Sequence, residues 1–148
     1  MPGSSASERG GGWVLAQTAL MLLFVGLVFV PPFWPPELSF IGIPLAVVGA
    51  VAFVWAARSL GKSLTPYPRP REDAELVERG PYRFVRHPIY AAGLLFFLGV
   101  GLASSLPATL AAFALGAFWW RKASVEEAHL AARFPGYEDY RRRVRNRL

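Results

Sequence analysis

Two short stretches of this 148-residue chain gather the side chains that could do chemistry. One is GPYRFVRHPIY, residues 80–90, and the other is EEAHLAARF, residues 126–134. Between them they hold both histidines, His87 and His129, and the carboxylate pair Glu126 and Glu127. Tyr82, Tyr90, Tyr137 and Tyr140 stand in or just beyond them. Carboxylates, imidazoles, guanidinium groups and phenols are the types that hold a charged ligand and move a proton. Taken singly, each has an ordinary explanation. Arg83 and Arg86 fit topogenic charges, Tyr82 and Tyr90 an interfacial belt, and Glu126 an i, i+4 partner for Lys122 on a solvated helix face. His87 stands ahead of Pro88, where a helix cap would be. The spacing of the whole set argues for a site. The chain has no cysteine, which excludes disulfides, Cys-ligated metals and Cys nucleophiles, and no metal site is read from it.

The elements that must position these residues are apolar. Apolar residues make up 53% of the chain and charged residues only 18%, with a mean hydropathy of +0.32. Four stretches lack any Asp, Glu, Lys or Arg: residues 13–30, 40–57, 89–106 and 107–120. One such charge at a helix centre costs about 2.5–3.5 kcal/mol of insertion free energy, so clean stretches suit a bilayer. The fold class expected is therefore all-α: a polytopic membrane protein of about four transmembrane helices, at 13–30, 40–57, 89–106 and 107–121. The last two form a tight hairpin around Ser104 and Ser105, a serine cap with Pro107 in the first turn. The fourth runs without a breaker into RKASVEEAHLAARF, and should leave the membrane as one helix ending near Pro135 and Gly136. The first is expected to end at Pro31 and Pro32. The turn after it, PPFWPPELS, sets Phe33 and Trp34 at headgroup depth.

Basic residues fix the orientation. Residues 58–86 carry seven and residues 121–148 carry eight, whereas 31–39 carry none. That puts both termini and the long loop in the cytoplasm. The net charge of +6 then reflects topology and anionic headgroups, with no nucleic-acid partner. Residues 1–12 read as a flexible tail and 13–148 as a single domain, with no cleaved signal peptide. In the loop, alternate prolines at 66, 68 and 70 exclude a helix, and residues 73–79 can form one short helix with Glu75 and Arg79 paired. Small residues on the second helix, Gly49, Ala50, Ala52, Ala56 and Ala57, permit close packing. With both hairpin helices antiparallel, the two polar stretches fall on one membrane face.

GPYRFVRHPIY, then a helical hairpin, then Glu-Glu 36 residues after Tyr90, then FPGYEDY, resembles the isoprenylcysteine carboxyl methyltransferase and phospholipid methyltransferase superfamily. The residues carrying the resemblance are Gly80, Pro81, Tyr82, Arg86, His87, Pro88, Tyr90, Glu126, Glu127, Gly136, Tyr137 and Tyr140, across residues 60–145. The resemblance implies a membrane methyltransferase that uses S-adenosylmethionine, with cofactor motifs at 80–93 and 126–140. It implies cofactor contacts from His87, Tyr90 and the Glu pair, with backbone around Arg86 and Pro88. The chemistry is compatible. Glu126 or Glu127 could take the cofactor's amino group or ribose hydroxyls, and Arg86 or His87 its carboxylate. Tyr82, Tyr90 or Tyr137 could stack on adenine or face the sulfonium. Arg86, Glu127 and His129 are the catalytic candidates, with His129 the spare base for an amine or thiol acceptor. Two departures stand out. Ala92 occupies a position where the family often has Gly, and the chain closes on RRRVRNRL without the family's Pro-containing segment.

The acceptor expected is lipophilic: an isoprenylcysteine-like carboxylate, a phospholipid amine or another isoprenoid or small lipophilic molecule. The setting expected is a prokaryotic plasma membrane. Two rivals follow from the same block. A membrane reductase of related C-terminal pattern would use NADPH, and a non-catalytic scaffold would bind neither cofactor. A channel or carrier is disfavoured, because no ionisable residue lies inside a span.

Overall fold

A computed structural model of the chain describes residues 10–30 and 34–148. Five α-helices carry it: α1 (Gly11–Val28), α2 (Ser39–Leu60), α3 (Pro88–Ser104), α4 (Leu106–Arg133) and α5 (Tyr137–Arg143). No strand occurs among the described residues, so the all-α class holds. α1 begins within the expected tail, at Gly11, and the expected stop at Pro31 and Pro32 lies outside the described residues, as does Phe33. The 1–12 tail expectation likewise falls mostly outside them.

Two helical segments are long and apolar enough to cross a membrane, Gly11–Val28 and Pro36–Ser63, with mean hydropathies of 1.9 and 2.3. They are only 6% and 17% buried within the protein, which leaves apolar faces outward. α3 is a shorter apolar helix held between neighbours. At its glycines the contact with α2 brings backbone against backbone. A Cβ on Gly99 would lie 2.3 Å from the Ala46 nitrogen, one on Gly49 2.4 Å from the Phe96 nitrogen, and one on Gly42 2.5 Å from the Gly99 carbonyl. Small residues at this spacing let two helices touch along their length. Of the small α2 residues expected to pack, Gly49 and Ala56 are buried and Ala50, Ala52 and Ala57 half-buried.

A single residue, Ser105, separates α3 from α4. Its hydroxyl accepts from the Ala108 N–H at 3.2 Å, the cap expected, and donates to the Leu27 carbonyl at 2.8 Å. α4 runs 28 residues, about 42 Å, well past the apolar stretch that opens it. α1 packs on α4 through Phe24, Leu115 and Trp119.

These contacts sort the molecule into two ends. At one, Ser105 meets Leu27, and the Trp34 indole N–H donates to the Leu102 carbonyl at 2.7 Å. At the other, Gly10 touches Pro68, Gln17 meets Lys122, and the 61–87 loop and the chain after α4 gather.

The loop departs from expectation at residues 73–79, which form no helix. Side-chain capping competes with the helix there. The Ser63 hydroxyl accepts from the Glu75 N–H at 3.0 Å and donates to its carbonyl at 3.3 Å, which takes both backbone groups of Glu75 away from a helix. Glu75 pairs with Lys62 at 2.7 Å, not with Arg79. Lys122 likewise does not pair with Glu126. It is buried, and its Nζ donates to the Pro66 carbonyl at 2.7 Å and to Gln17 Oε1 at 2.9 Å.

Candidate active site

Gly80 begins the approach. Its φ of +61° is open to glycine at little cost, and a Cβ there would meet Ser59 Oγ at 2.4 Å. A 3₁₀ turn follows over Gly80–Arg83 and buries Pro81 and Tyr82 against the end of α2. The chain then reaches Arg86 and His87, and Pro88 opens α3 in the first turn, where its missing N–H costs nothing. His87 is at the cap position but makes no side-chain cap bond. Its imidazole turns instead to α4.

There it meets both carboxylates. His87 Nε2 is 3.2 Å from Glu127 Oε1, and Nδ1 is 3.5 Å from Glu126 Oε2. Arg86 Nε donates to Glu127 Oε1 at 2.9 Å. The Tyr90 hydroxyl, one turn into α3, donates to Glu126 Oε1. The rings of His87, Tyr90 and Trp119 are nearly parallel, with successive centroids 5.7 and 5.8 Å apart. Gly93 makes room for this, since a Cβ there would be 3.0 Å from the Trp119 ring. Ala92, the departure from the family pattern, turns its carbonyl to Gly49 of α2.

The electrostatics follow from the pairing. Burial opposes ionisation of Glu127, but hydrogen bonds from His87, Arg147 and Arg86 outweigh it and hold its pKa at about 2. Burial also opposes a charged His87, yet hydrogen bonds to Glu126 and Glu127 raise its pKa above the ordinary value. The cluster is thus a set of cations and anions that charge one another. Burial raises the Tyr82 and Tyr137 phenols, which keeps them neutral donors.

The chain after α4, expected only as a basic tail, forms α5 and then an extended segment against the site. Tyr137, Tyr140 and Val144 form a small core with Leu76, Leu130 and Phe134. The Tyr140 hydroxyl donates to the Tyr82 carbonyl at 2.7 Å. The Tyr137 hydroxyl is buried with no hydrogen-bond partner among the described residues. Glu126 borders a cavity of about 110 Å³ shared with Ser63, Tyr67, Glu75 and Leu130. A wider open groove of about 1100 Å³ lies along residues 64–73 of the loop, and Thr65, Tyr67 and Pro70 line both spaces.

Of the residues singled out from sequence, Arg86, His87, Tyr90, Glu126 and Glu127 come together, with Pro88 shaping the turn and Tyr82 and Tyr137 buried behind. His129 does not join them: it lines the wider groove with Ala132 and Arg133. Sequence reasoning missed Arg147, whose guanidinium reaches Glu127, and Trp119, which extends the ring stack. Nothing but positive charge marked Arg147 within RRRVRNRL. Trp119 passed as one more apolar residue of a membrane stretch.

The phospholipid methyltransferase family model matches residues 38–136, most of the chain and all of the cluster except Arg147. The chain belongs to that family. It is 34% identical over 109 residues to the cobalt-zinc-cadmium resistance protein CzcN of Cupriavidus metallidurans, covering 72% of this chain and 45% of the relative. It is 36% identical over 107 residues to the nickel-cobalt-cadmium resistance protein NccN of Alcaligenes xylosoxydans xylosoxydans, covering 70% of this chain and 45% of the relative. The chain thus spans about half the length of these two. It is 29% identical over 145 residues to a probable protein-S-isoprenylcysteine O-methyltransferase of Oryza sativa subsp. indica, covering 92% of this chain and 75% of that protein. The resemblance read from the sequence is therefore met by the family itself, and the protein is a member of a methyltransferase family with apolar helices suited to a membrane.

Proposed function

We propose that the protein is an S-adenosylmethionine-dependent methyltransferase that acts on a lipophilic acceptor at the membrane. The observation that carries the reading is the cluster of His87, Tyr90, Glu126 and Glu127 beside the cavity that Glu126 borders. The residues present fit such a cofactor. Of the acidic pair, Glu126 is the one that borders the cavity, and it suits an amino group or ribose hydroxyls. The Tyr137 hydroxyl is a buried donor lacking a partner among the described residues, and such groups are satisfied by a ligand or water. The enclosed cavity is smaller than the roughly 300–1,000 Å³ of a ligand pocket. The groove of about 1100 Å³ on the same loop adjoins it, with Thr65, Tyr67 and Pro70 lining both spaces.

When bound, the cofactor supplies the activated methyl group, and the chain's own contribution is alignment. Orientation of this kind can supply up to ~7–11 kcal/mol. A carboxylate acceptor needs no base. For an amine or thiol, His129 in the groove is the residue available to take the proton. An isoprenylcysteine-like carboxylate, a phospholipid amine and other small lipophilic acceptors are all compatible with this arrangement.

The outward faces support the membrane setting. Phe40, Val51, Leu15, Leu110 and Phe113 are all more than half exposed, an apolar belt that suits lipid. With α3 and α4 crossing beside α1 and α2, the protein has four spans in a prokaryotic plasma membrane, and both termini and the site end face the cytoplasm.

Calorimetric titration of detergent-purified protein with S-adenosylhomocysteine tests the reading, with NADPH as control and the Glu126→Ala, Glu127→Ala double variant alongside. Micromolar binding of the homocysteine compound, lost in the variant, is the expected result. Binding of NADPH instead would move the protein to a reductase, and binding of neither would leave a scaffold.

A further inference from the structure

The two carboxylates of the acidic pair are unequally engaged. Glu127 is 5% exposed and both its oxygens are taken. Oε1 accepts from Arg86 Nε at 2.9 Å and from Arg147 Nε at 3.1 Å, with His87 Nε2 at 3.2 Å, while Oε2 accepts from Arg147 Nη2 at 2.7 Å. The Arg147 contact is a two-pronged fork, the geometry that fixes a carboxylate in both position and rotation. Glu126 has the Tyr90 hydroxyl and one longer contact to His87, and it borders the cavity.

Arg147 is itself held. The Asn146 and Arg147 carbonyls accept the backbone N–H groups of Arg86 and His87 at 3.0 and 2.9 Å. The His87 N–H is an orphan donor at the start of α3, which the helix itself cannot satisfy. In return, Arg86 Nη1 donates to the Val144 and Arg145 carbonyls at 2.7 and 2.8 Å. Arg147 Nη1 also donates to Ser124 Oγ at 3.1 Å, and the guanidinium lies 4.9 Å over the Trp120 ring. The extended segment after α5 is therefore laced to the start of α3 and to α4 at once.

We infer that residues 144–147 are a strap that completes the ligand site, with Arg147 as a positioning residue that fixes Glu127, so that Glu127 aligns Arg86 and His87 and Glu126 is left to the ligand. The ligand part of this inference rests on the proposed cofactor. Arg147 acts on it only through Glu127.

A double-mutant cycle tests this in the full-length protein. Wild type, Arg147→Ala, Glu127→Gln and the double variant are titrated with S-adenosylhomocysteine, with Arg147→Lys as the conservative variant. Arg147→Ala is expected to weaken binding about tenfold, Arg147→Lys to recover part of the loss, and Arg147→Ala to change little in the Glu127→Gln background. Fully additive losses, or an Arg147→Ala protein that binds as tightly as wild type, overturn the inference. If the wild type itself binds no S-adenosylhomocysteine, the cofactor proposal fails separately. Thermal unfolding of the same four ligand-free proteins then decides the strap: non-additive changes in Tm support it and additive ones overturn it.

Discussion

At the scale of single residues, the adjacent glutamates should behave differently. Glu126 has few internal obligations, whereas Glu127 answers Arg86, His87 and Arg147. Glu126→Gln is expected to weaken S-adenosylhomocysteine binding at least tenfold while leaving Tm within a few degrees of wild type. Glu127→Gln removes the negative charge that Arg86, His87 and Arg147 answer and turns one acceptor oxygen into a donor, and breaking a buried charge pair costs about 3–5 kcal/mol. A large fall in Tm is expected, and equal falls for the two variants would contradict the division. The same charges set a pH dependence. The Glu127 carboxyl is held at about 2, below its ordinary 4.5, so its stabilisation is complete above 4.5 and fades as pH falls toward 2. His87 is raised above its ordinary 6.5, so its stabilisation is complete below 6.5 and fades as pH rises through its folded value. Tm in detergent should therefore be highest between about pH 4.5 and 6.5. His87→Gln should flatten the alkaline side and, because His87 also helps hold the Glu127 carboxyl low, weaken the acid side as well.

At the scale of elements, stability rests on the backbone contact between α2 and α3. A Cβ at Gly99 would stand 2.3 Å from backbone on α2, where no side chain can give way. Gly99→Ala should cost about 1–3 kcal/mol, the range for an overfilled interior. Gly12, also helical but with nothing near it, is the control: Gly12→Ala should be neutral or stabilise by about 0.5–1 kcal/mol. Thermal unfolding of the pair checks both. These elements were largely legible in the sequence, because charge-free runs, Ser105 and Pro107, and the unbroken run through Glu126 are strong local signals. The contact between α2 and α3 was legible only as a list of small residues, since Gly42 and Gly99 acquire their role from the partner backbone. The 73–79 segment was misjudged because Ser63, twelve residues away from Glu75, takes that residue's backbone N–H and carbonyl. Lys122 was misjudged because Gln17 and Pro66 approach it from other elements. The core of the site was visible as spacing, but Arg147 was not, because its role depends on where the chain after α5 returns.

At the scale of the whole molecule, the two ends of the bundle make a topological claim that the chain is well suited to test. Glu37 is exposed at the end where Trp34 meets Leu102, while Glu72 and Arg142 are exposed at the end that holds the site. The chain has no cysteine, so a single introduced thiol reports its own side of the membrane. Basic residues crowd the site end and avoid the other, and the proposed placement sets the site end toward the cytoplasm. A membrane-impermeant maleimide applied to intact cells should label Glu37→Cys and spare Glu72→Cys and Arg142→Cys. The last two should react only once the membrane is opened. The reverse pattern would invert the proposed placement. Labelling that separates Glu72→Cys from Arg142→Cys would mean that α3 and α4 do not cross as a pair, and the site would then have to be shared between the two sides. The hydrogen bonds from Arg86 and His87 to residues 144–147 forbid that separation while the fold is intact. The experiment therefore tests the membrane placement and the assembled site together.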